Sequence, residues 1–136
     1  MAAKPETTFI KAIHRLLPNV FAENNNNPFR SGQADIWYSG CLGDLWVEYK
    51  YTKILRESTE FRPNTSPLQN RWLGCRLDEG RNVAVVAGTP TGAIIYLDRE
   101  WLVPAPFGEH RKREIPRKEL AAWIFNQVGE QCVSLE

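Results

Sequence analysis

The sequence predicts an α/β fold, a mixed β-sheet flanked by helices in one domain spanning residues 1–136. The length of 136 residues suits one domain. An apolar fraction of 43% is enough to fill a core. Helical patterns at both ends and in the middle of the chain enclose segments with strand periodicity. The predicted order is therefore α-β-β-β-α-β-β-α.

Three helices are predicted from apolar spacing and from residues that start and stop helices. Pro5 suits a first turn, and Pro18 ends the first helix. Ser66 can cap the second helix, with Pro67 at its first position and Gly80 after its end. The predicted helices cover residues 5–17, 66–79 and 116–128.

Strands are predicted where apolar residues alternate or form short continuous runs. The strongest covers residues 45–51, and the turn at residues 40–44 makes it a hairpin with the strand before it. Residues 53–65 and 103–115 are expected to be irregular, and residues 98–101 to form a helical turn. The predicted strands cover residues 19–22, 33–39, 45–51, 82–87 and 93–97.

Composition narrows the function classes. The net charge of +1 argues against a strongly basic nucleic-acid binder but leaves room for a local basic groove. No apolar run is long enough for a membrane helix, and the first residues lack a signal-peptide core, so we expect a cytoplasmic protein, in the nucleoid or a host cell. Three separated cysteines argue against a disulfide framework or structural zinc. No Walker or GxGxxG motif indicates a nucleotide cofactor.

Acidic residues and a lysine converge on the predicted hairpin. Glu48 and Lys50 point to one face of the strongest strand, where burial of both would be costly. Asp35, on the preceding strand, can lie beside Glu48. Two adjacent carboxylates repel unless a cation lies between them, and their oxygens suit Mg²⁺. Taken singly, the pair Glu48 and Lys50 fits a partly exposed ion pair, and Asp35 fits an acid facing water.

Further polar residues flank this hairpin. Glu6 lies on the apolar face of the first helix, although an acid in a first turn also complements the helix dipole. Gln69, at the start of the second helix, can donate to a phosphate or hold Lys50; alternatively it is solvated. Four cations can meet phosphates, although each alone is more typical of a solvated charge: Arg30, Lys53, Arg56 and Arg62.

Asp35, followed after twelve intervening residues by Glu48-Tyr49-Lys50, resembles the signature of the PD-(D/E)XK nuclease superfamily. Within it, the chain is most similar to VRR-NUC domains and archaeal-type Holliday junction resolvases, with Ala34 where the pattern has proline. The resemblance covers about residues 5–98, and the chain from Trp101 does not match. It also rests on Glu6, Gly32-Gln33-Ala34-Asp35, Gly43, Ser66-Pro67-Leu68-Gln69 and the strand at 83–86.

The resemblance implies a restriction-endonuclease-like core with a metal site. Lys50 would orient or deprotonate the attacking water or steady the pentacovalent phosphate, and Gln69 would support Lys50 or the phosphate. Asp35 and Glu48 would thus be catalytic as well as metal-binding. The metal, Mg²⁺ with Mn²⁺ as a substitute, would be held by Glu6, directly or through water, Asp35, Glu48 and the backbone carbonyl of Tyr49.

The implied activity is metal-dependent hydrolysis of DNA phosphodiesters, selective for branched DNA, as used in DNA recombination. Symmetric cutting of a junction needs two sites, so we expect a homodimer. A basic run at residues 111–113 can extend the phosphate track, but interspersed acids favour a solvated turn. Candidate dimer residues are Trp37, Tyr38, Trp72 and Trp101, for each of which core packing is the stronger interpretation.

Two other functions remain open at this point. One is a sequence-specific endonuclease of restriction or homing type, which a fixed cleavage sequence would reveal. The other is a protein with a nuclease-like fold that binds DNA or another protein without cutting, for which mutation of the acids would leave affinity unchanged or raise it. A serine hydrolase has little support, because the chain has two histidines and no GxSxG motif.

Overall fold

A computed structural model describes residues 4–25 and 32–132 of the chain. It confirms the mixed α/β architecture, with helices on both faces of a five-stranded sheet. The helices are α1 (Pro5–Leu16), α2 (Pro67–Asp78), α3 (Phe107–Arg111) and α4 (Arg117–Val128), with a short 3₁₀ helix at Glu100–Leu102. The strands are β1 (Phe21–Asn24), β2 (Ile36–Gly40), β3 (Gly43–Tyr51), β4 (Glu60–Phe61), β5 (Val83–Gly88), β6 (Ala93–Tyr96) and β7 (Ala105–Pro106).

The main sheet has the order β1-β2-β3-β5-β6. β3 and β5 run parallel, whereas the other neighbours are antiparallel. The parallel pair needs a crossover connection, and α2 supplies it. This places the end of β3 next to the end of β5, in the centre of the sheet.

Each sheet face has its own core. α1 and α4 cover one face, where Phe9 and Ile13 of α1 pack against Val47 and Tyr49 of β3. The predicted alternation of β3 is thus confirmed, since its apolar side chains share this face. α2 covers the other face beside β5, where Leu73 packs against the apolar side chains of β5 and β6.

A buried polar chain joins α1 to the hairpin of β2 and β3. The hydroxyl of Tyr38 lies 2.6 Å from that of Tyr49 and 2.8 Å from Nε2 of His14. Because these groups are removed from bulk water, each needs its partner. The contact therefore favours one orientation of α1 against the hairpin.

An aromatic strip runs across β1, β2 and β3 to α2 on the α2 face of the sheet. It consists of Phe21, Trp37, Trp46 and Trp72, with successive ring centroids 5.4, 5.6 and 5.5 Å apart. Phe21 is exposed and the tryptophans are half-buried. Of the candidate dimer residues, Tyr38 and Trp101 are fully buried, so neither can contact a partner. Trp37 and Trp72 stay accessible.

Most predicted boundaries shift by one or two residues and the start of β2 by three, and two segments that were predicted as loops contain regular structure. Residues 103–115 are not irregular but contain β7 and α3. β7 pairs only with β4, which lies in the predicted 53–65 loop. Strands of two residues carry no periodicity, so only the contact between distant segments reveals them. Among the described residues no helix is long and apolar enough to cross a membrane.

Candidate metal centre

Asp35 lies just before β2, at the mouth of the hairpin, and not within a strand as expected. The last ladder pair there is Ile36 with Val47, so Asp35 stands opposite Glu48. Its Oδ2 accepts a hydrogen bond of 3.0 Å from the backbone N–H of Tyr49. Its own carbonyl accepts one from Asn25 N–H at 2.7 Å. These contacts orient the carboxylate toward β3.

Glu48 is the most deeply buried acid of the cluster, with 1% of its surface exposed. Its Oε2 accepts a 3.0 Å hydrogen bond from Nε2 of Gln69 and lies 3.5 Å from Nζ of Lys50. Burial raises the pKa of Glu48 to about 9, and the adjacent Asp35 charge raises it too. Lys50 opposes both effects without cancelling them. The cluster therefore favours a proton or a metal ion at this carboxyl.

Glu6 reaches the same place from α1. It lies on the helix face that is turned to the sheet, as its place on the apolar face of the first helix predicted, and its side chain is half-buried. Burial raises the pKa of Glu6, and the charge of Asp35 raises it further, while Lys50 and Lys4 lower it. Three segments distant in sequence thus deliver three carboxyl groups to one point.

One carboxylate oxygen each from Glu6, Asp35 and Glu48 lies within 4.8 Å of the others. Oε1 of Glu48 is buried and has no hydrogen-bond partner among residues 4–25 and 32–132. An unpaired buried oxygen is costly, and mutual repulsion adds to that cost. Hard divalent cations prefer oxygen ligands of this kind. The donor set therefore fits Mg²⁺ or Mn²⁺, with Glu48 Oε1 as a natural ligand atom.

Lys50 completes the constellation expected from the sequence. It follows Glu48 by two residues on β3, so the two side chains share a face. Its side chain is 23% exposed, and its ammonium can reach solvent as well as the acids. Tyr49, between them, directs its side chain to the opposite face and contributes its backbone N–H to Asp35.

Gln69 is brought to the cluster by the start of α2. Its backbone N–H donates to Ser66 Oγ at 3.1 Å, and its Oε1 accepts from Ser66 N–H at 2.9 Å. This capping box leaves Nε2 directed at Glu48. The amide therefore contacts Glu48 Oε2, the same oxygen that lies 3.5 Å from Nζ of Lys50.

Gly32 explains how α2 comes so close to Asp35. Its φ of +86° lies in the left-handed region, and an added Cβ would lie 2.5 Å from the carbonyl oxygen of Leu68. Only glycine combines this backbone conformation with this close approach. A side chain here would push Gln69 and the start of α2 away from the acids.

The cations predicted to contact DNA are not gathered at one point as the three acids are. Arg30 lies outside the described residues. Lys53 and Arg56 are exposed on the loop after β3. Arg62 is half-buried, and its Nη1 donates to Pro63 O at 2.9 Å and Thr65 Oγ1 at 3.1 Å. Arg62 thus shapes its own loop, whereas Lys53 and Arg56 present their charges to solvent.

The basic run at residues 111–113 is a solvated turn, as the plainer interpretation predicted. Arg111 pairs with Glu114 at 3.3 Å and Lys112 with Glu109 at 3.1 Å. Arg113 pairs with Glu100 at 3.0 Å. These neutralising partners leave little charge for a phosphate.

A cleft of about 520 Å³ opens beside the acids and was not predicted. Glu6 and Lys50 belong to both the cleft and the acidic cluster. The opposite wall comes from β4 and the loop that follows it before α2, and it includes Phe61, Pro63 and Asn64. The sequence offers no signal for this wall beyond a phenylalanine in a polar loop.

Comparison with known proteins gives a fold likeness. No protein-family model matches the chain, and no curated protein matches it. Among solved structures, the Holliday junction resolvase Hjc of the archaeal hyperthermophile Archaeoglobus fulgidus is similar, with a TM-score of 0.51 and 14% identity. The match covers 85% of this chain and 99% of the resolvase. At this identity the comparison shows a shared nuclease-like fold.

Proposed function

We propose that the protein is a metal-dependent DNA endonuclease that acts on branched DNA. The observation that carries the proposal is the meeting of three carboxylates within 4.8 Å, with Lys50 3.5 Å from Glu48, on a resolvase-like fold. The order of these residues along the chain agrees with the PD-(D/E)XK pattern. A structural ion pair would not require two further acids at the same point.

The chain's own residues divide the work. Glu6, Asp35 and Glu48 would hold Mg²⁺ or Mn²⁺, together with the backbone carbonyl of Tyr49. When bound, the ion would lower the pKa of a coordinated water and neutralise charge on the phosphate. Lys50 lies beside the metal ligands, where it can orient the attacking water, accept its proton or stabilise the extra negative charge of the phosphate. Gln69 keeps Glu48 in place.

Branched DNA is proposed as the substrate class because the protein would recognise DNA by its shape. The described chain carries no separate element for reading bases, so recognition by branch geometry is favoured over a fixed sequence. Lys53 and Arg56 are exposed on the loop after β3 and would contact phosphates there. Arg30 remains a predicted contact, and Arg62 would act by shaping the loop.

A cleavage panel tests this function. Four-way junctions, flaps, single strands and linear duplex are incubated with Mg²⁺ or Mn²⁺ and compared with Lys50→Ala and Asp35→Asn. We expect cutting of branched DNA that both variants lose while keeping wild-type circular dichroism. Failure to cut any of these DNAs in Mn²⁺ would contradict an endonuclease. Tight binding without cutting would favour the DNA-binding alternative, and a fixed cleavage sequence on long DNA the restriction-type alternative.

We also propose a homodimer that forms through the aromatic strip. Trp46 and Glu48 share one face of β3, so the proposed interface lies on the same sheet face as the acidic cluster. A two-fold dimer would give the assembly two such clusters. Half-buried aromatic rings are typical anchors of such interfaces. We expect Trp37→Glu to convert a dimer into a monomer in sedimentation, and Leu102→Glu, at an exposed leucine elsewhere, to leave it unchanged. A monomeric wild-type protein would contradict the dimer.

A further inference from the structure

The cleft beside the acids points to a specific feature of the substrate. We propose that it holds one unpaired nucleobase adjacent to the phosphate that is cut. The inference rests on the proposed function, because it names what the same site recognises. Its occupant follows from three properties of the cleft: its size, its lining and its continuity with the acidic cluster.

The size suits one nucleoside. A volume of about 520 Å³ falls in the range of roughly 300–1,000 Å³ that is typical of small-molecule sites. A base inside a duplex is stacked and paired, so only an unpaired base can enter a cleft of this kind. Branch points, flaps and bulges provide such bases.

The lining combines an apolar wall with polar edges. Phe61 offers an aromatic ring and Pro63 an apolar surface, whereas Asn64 offers an amide that can donate and accept hydrogen bonds. Lys4 and Lys50 line the same cleft, which favours an occupant that carries a phosphate. Stacking on an aromatic ring is the usual way to bind a base without selecting its identity.

The cleft continues into the acidic cluster. Because Glu6 and Lys50 belong to both, a base in the cleft would leave its own backbone phosphate beside Asp35 and Glu48. Stacking at this position would therefore choose which phosphate of a branch is presented for hydrolysis.

The wall is held rigid by the C-terminal part of the chain. The ring centroid of Phe61 lies 5.3 Å from that of Phe107 and 5.2 Å from that of His110, and both contacts are nearly edge-on. His110 is itself held by a 2.8 Å hydrogen bond to the hydroxyl of Tyr96. The backbone adds the β4–β7 pairing and a 2.7 Å bond from Phe107 N–H to Thr59 O. A ring fixed in advance loses little entropy when a base stacks on it.

The test is a double-mutant cycle that combines substitution of Phe61 with removal of the unpaired base from the DNA. The DNA is a four-way junction with one unpaired nucleotide at the branch point, either intact or abasic, and binding is measured in EDTA. We expect wild-type protein to bind the intact DNA about tenfold more tightly than the abasic DNA. Phe61→Leu should reduce that ratio to about twofold or less, because leucine keeps bulk but has no π-face. Phe61→Tyr should preserve it.

Matched controls separate stacking from structure. Ile54→Ala changes an exposed apolar residue on the loop between β3 and β4, outside the cleft, and should leave the ratio unchanged. An abasic nucleotide placed several positions from the branch should have no effect. Equal binding of intact and abasic DNA by the wild type would overturn the inference. A Phe61→Leu protein that prefers intact over abasic DNA as strongly as the wild type does would also overturn it.

The two proposals fail in different ways. If no branched DNA is bound or cut, the proposed function itself is wrong. If branched DNA is bound and cut but the base makes no difference, only the stacking inference is wrong. The comparison of intact with abasic DNA needs only wild-type protein, so the stacking inference can be refuted even if Phe61→Leu folds poorly.

Discussion

Replacing Glu48 by glutamine tests the electrostatic strain in the acidic cluster. Glutamine has nearly the same shape as a protonated glutamate, and its amide oxygen can still accept the hydrogen bond from Gln69. The substitution therefore removes the charge while keeping the packing. Any change in the pH dependence of the free energy of unfolding then reports the cost of ionising Glu48.

The sign follows from the two pKa values. The pKa of Glu48 is about 9 in the folded protein, above the ordinary value of 4.5 that applies when unfolded. Between these values the folded state holds a proton that the unfolded chain releases, so wild-type stability falls as pH rises. One proton gives a slope of at most about 1.4 kcal/mol per pH unit. From pH 5.5 to 7.5, the variant should gain up to about 2–3 kcal/mol relative to wild type.

The assay is urea unfolding in EDTA, followed by tryptophan fluorescence at several pH values. Glu119→Gln, which removes an exposed carboxylate on α4, serves as the matched control and should keep the wild-type slope. Mg²⁺ at pH 7.5 should stabilise wild type and stabilise Glu48→Gln less, because ligand binding to the folded state adds to stability. Parallel stability curves for wild type and Glu48→Gln would refute the reasoning.

Two further changes test the elements that position the site. Ser66→Ala removes the capping box and should lower the free energy of unfolding by about 1 kcal/mol. It should also weaken metal binding, because Gln69 loses its anchor beside Glu48. Ser66→Thr should restore stability and metal binding, and an unchanged metal affinity of Ser66→Ala in calorimetric titration would contradict the role of the cap. Gly88→Ala would place a Cβ 2.7 Å from the ring of Phe9; we expect a loss of about 1–3 kcal/mol in chemical unfolding, and a variant as stable as wild type would show that α1 can shift freely.

Local pattern was sufficient for the main elements. The two-residue period of β3 assigned Tyr49 to the core and Glu48 with Lys50 to the other face, and the structure agrees. Ser66 was predicted as a cap from its position before a proline, and the capping box confirms it. Both features depend only on residues within a few positions of one another, so they can be predicted from the sequence.

The assembly of the site depended on contacts between distant segments. Sequence indicated that Glu6 faces the sheet, but the approach of α1 to Asp35 depends on how the helix packs. Gln69 was expected to support Lys50 or a phosphate, and the capping box directs its amide to Glu48, the acid beside Lys50. No local pattern contains that choice.

The sequence alone determined the order of the three long helices and the five strands of the main sheet, the faces of β3 and the residue types of the candidate site. Only the tertiary structure decided that Phe61 walls a cleft, that residues 105–110 support it, and that Tyr38 and Trp101 are inaccessible. Backbone periodicity sets which way a side chain points, since it depends on adjacent residues. What that side chain then meets depends on segments up to a hundred residues away, brought together by burial of the shared core.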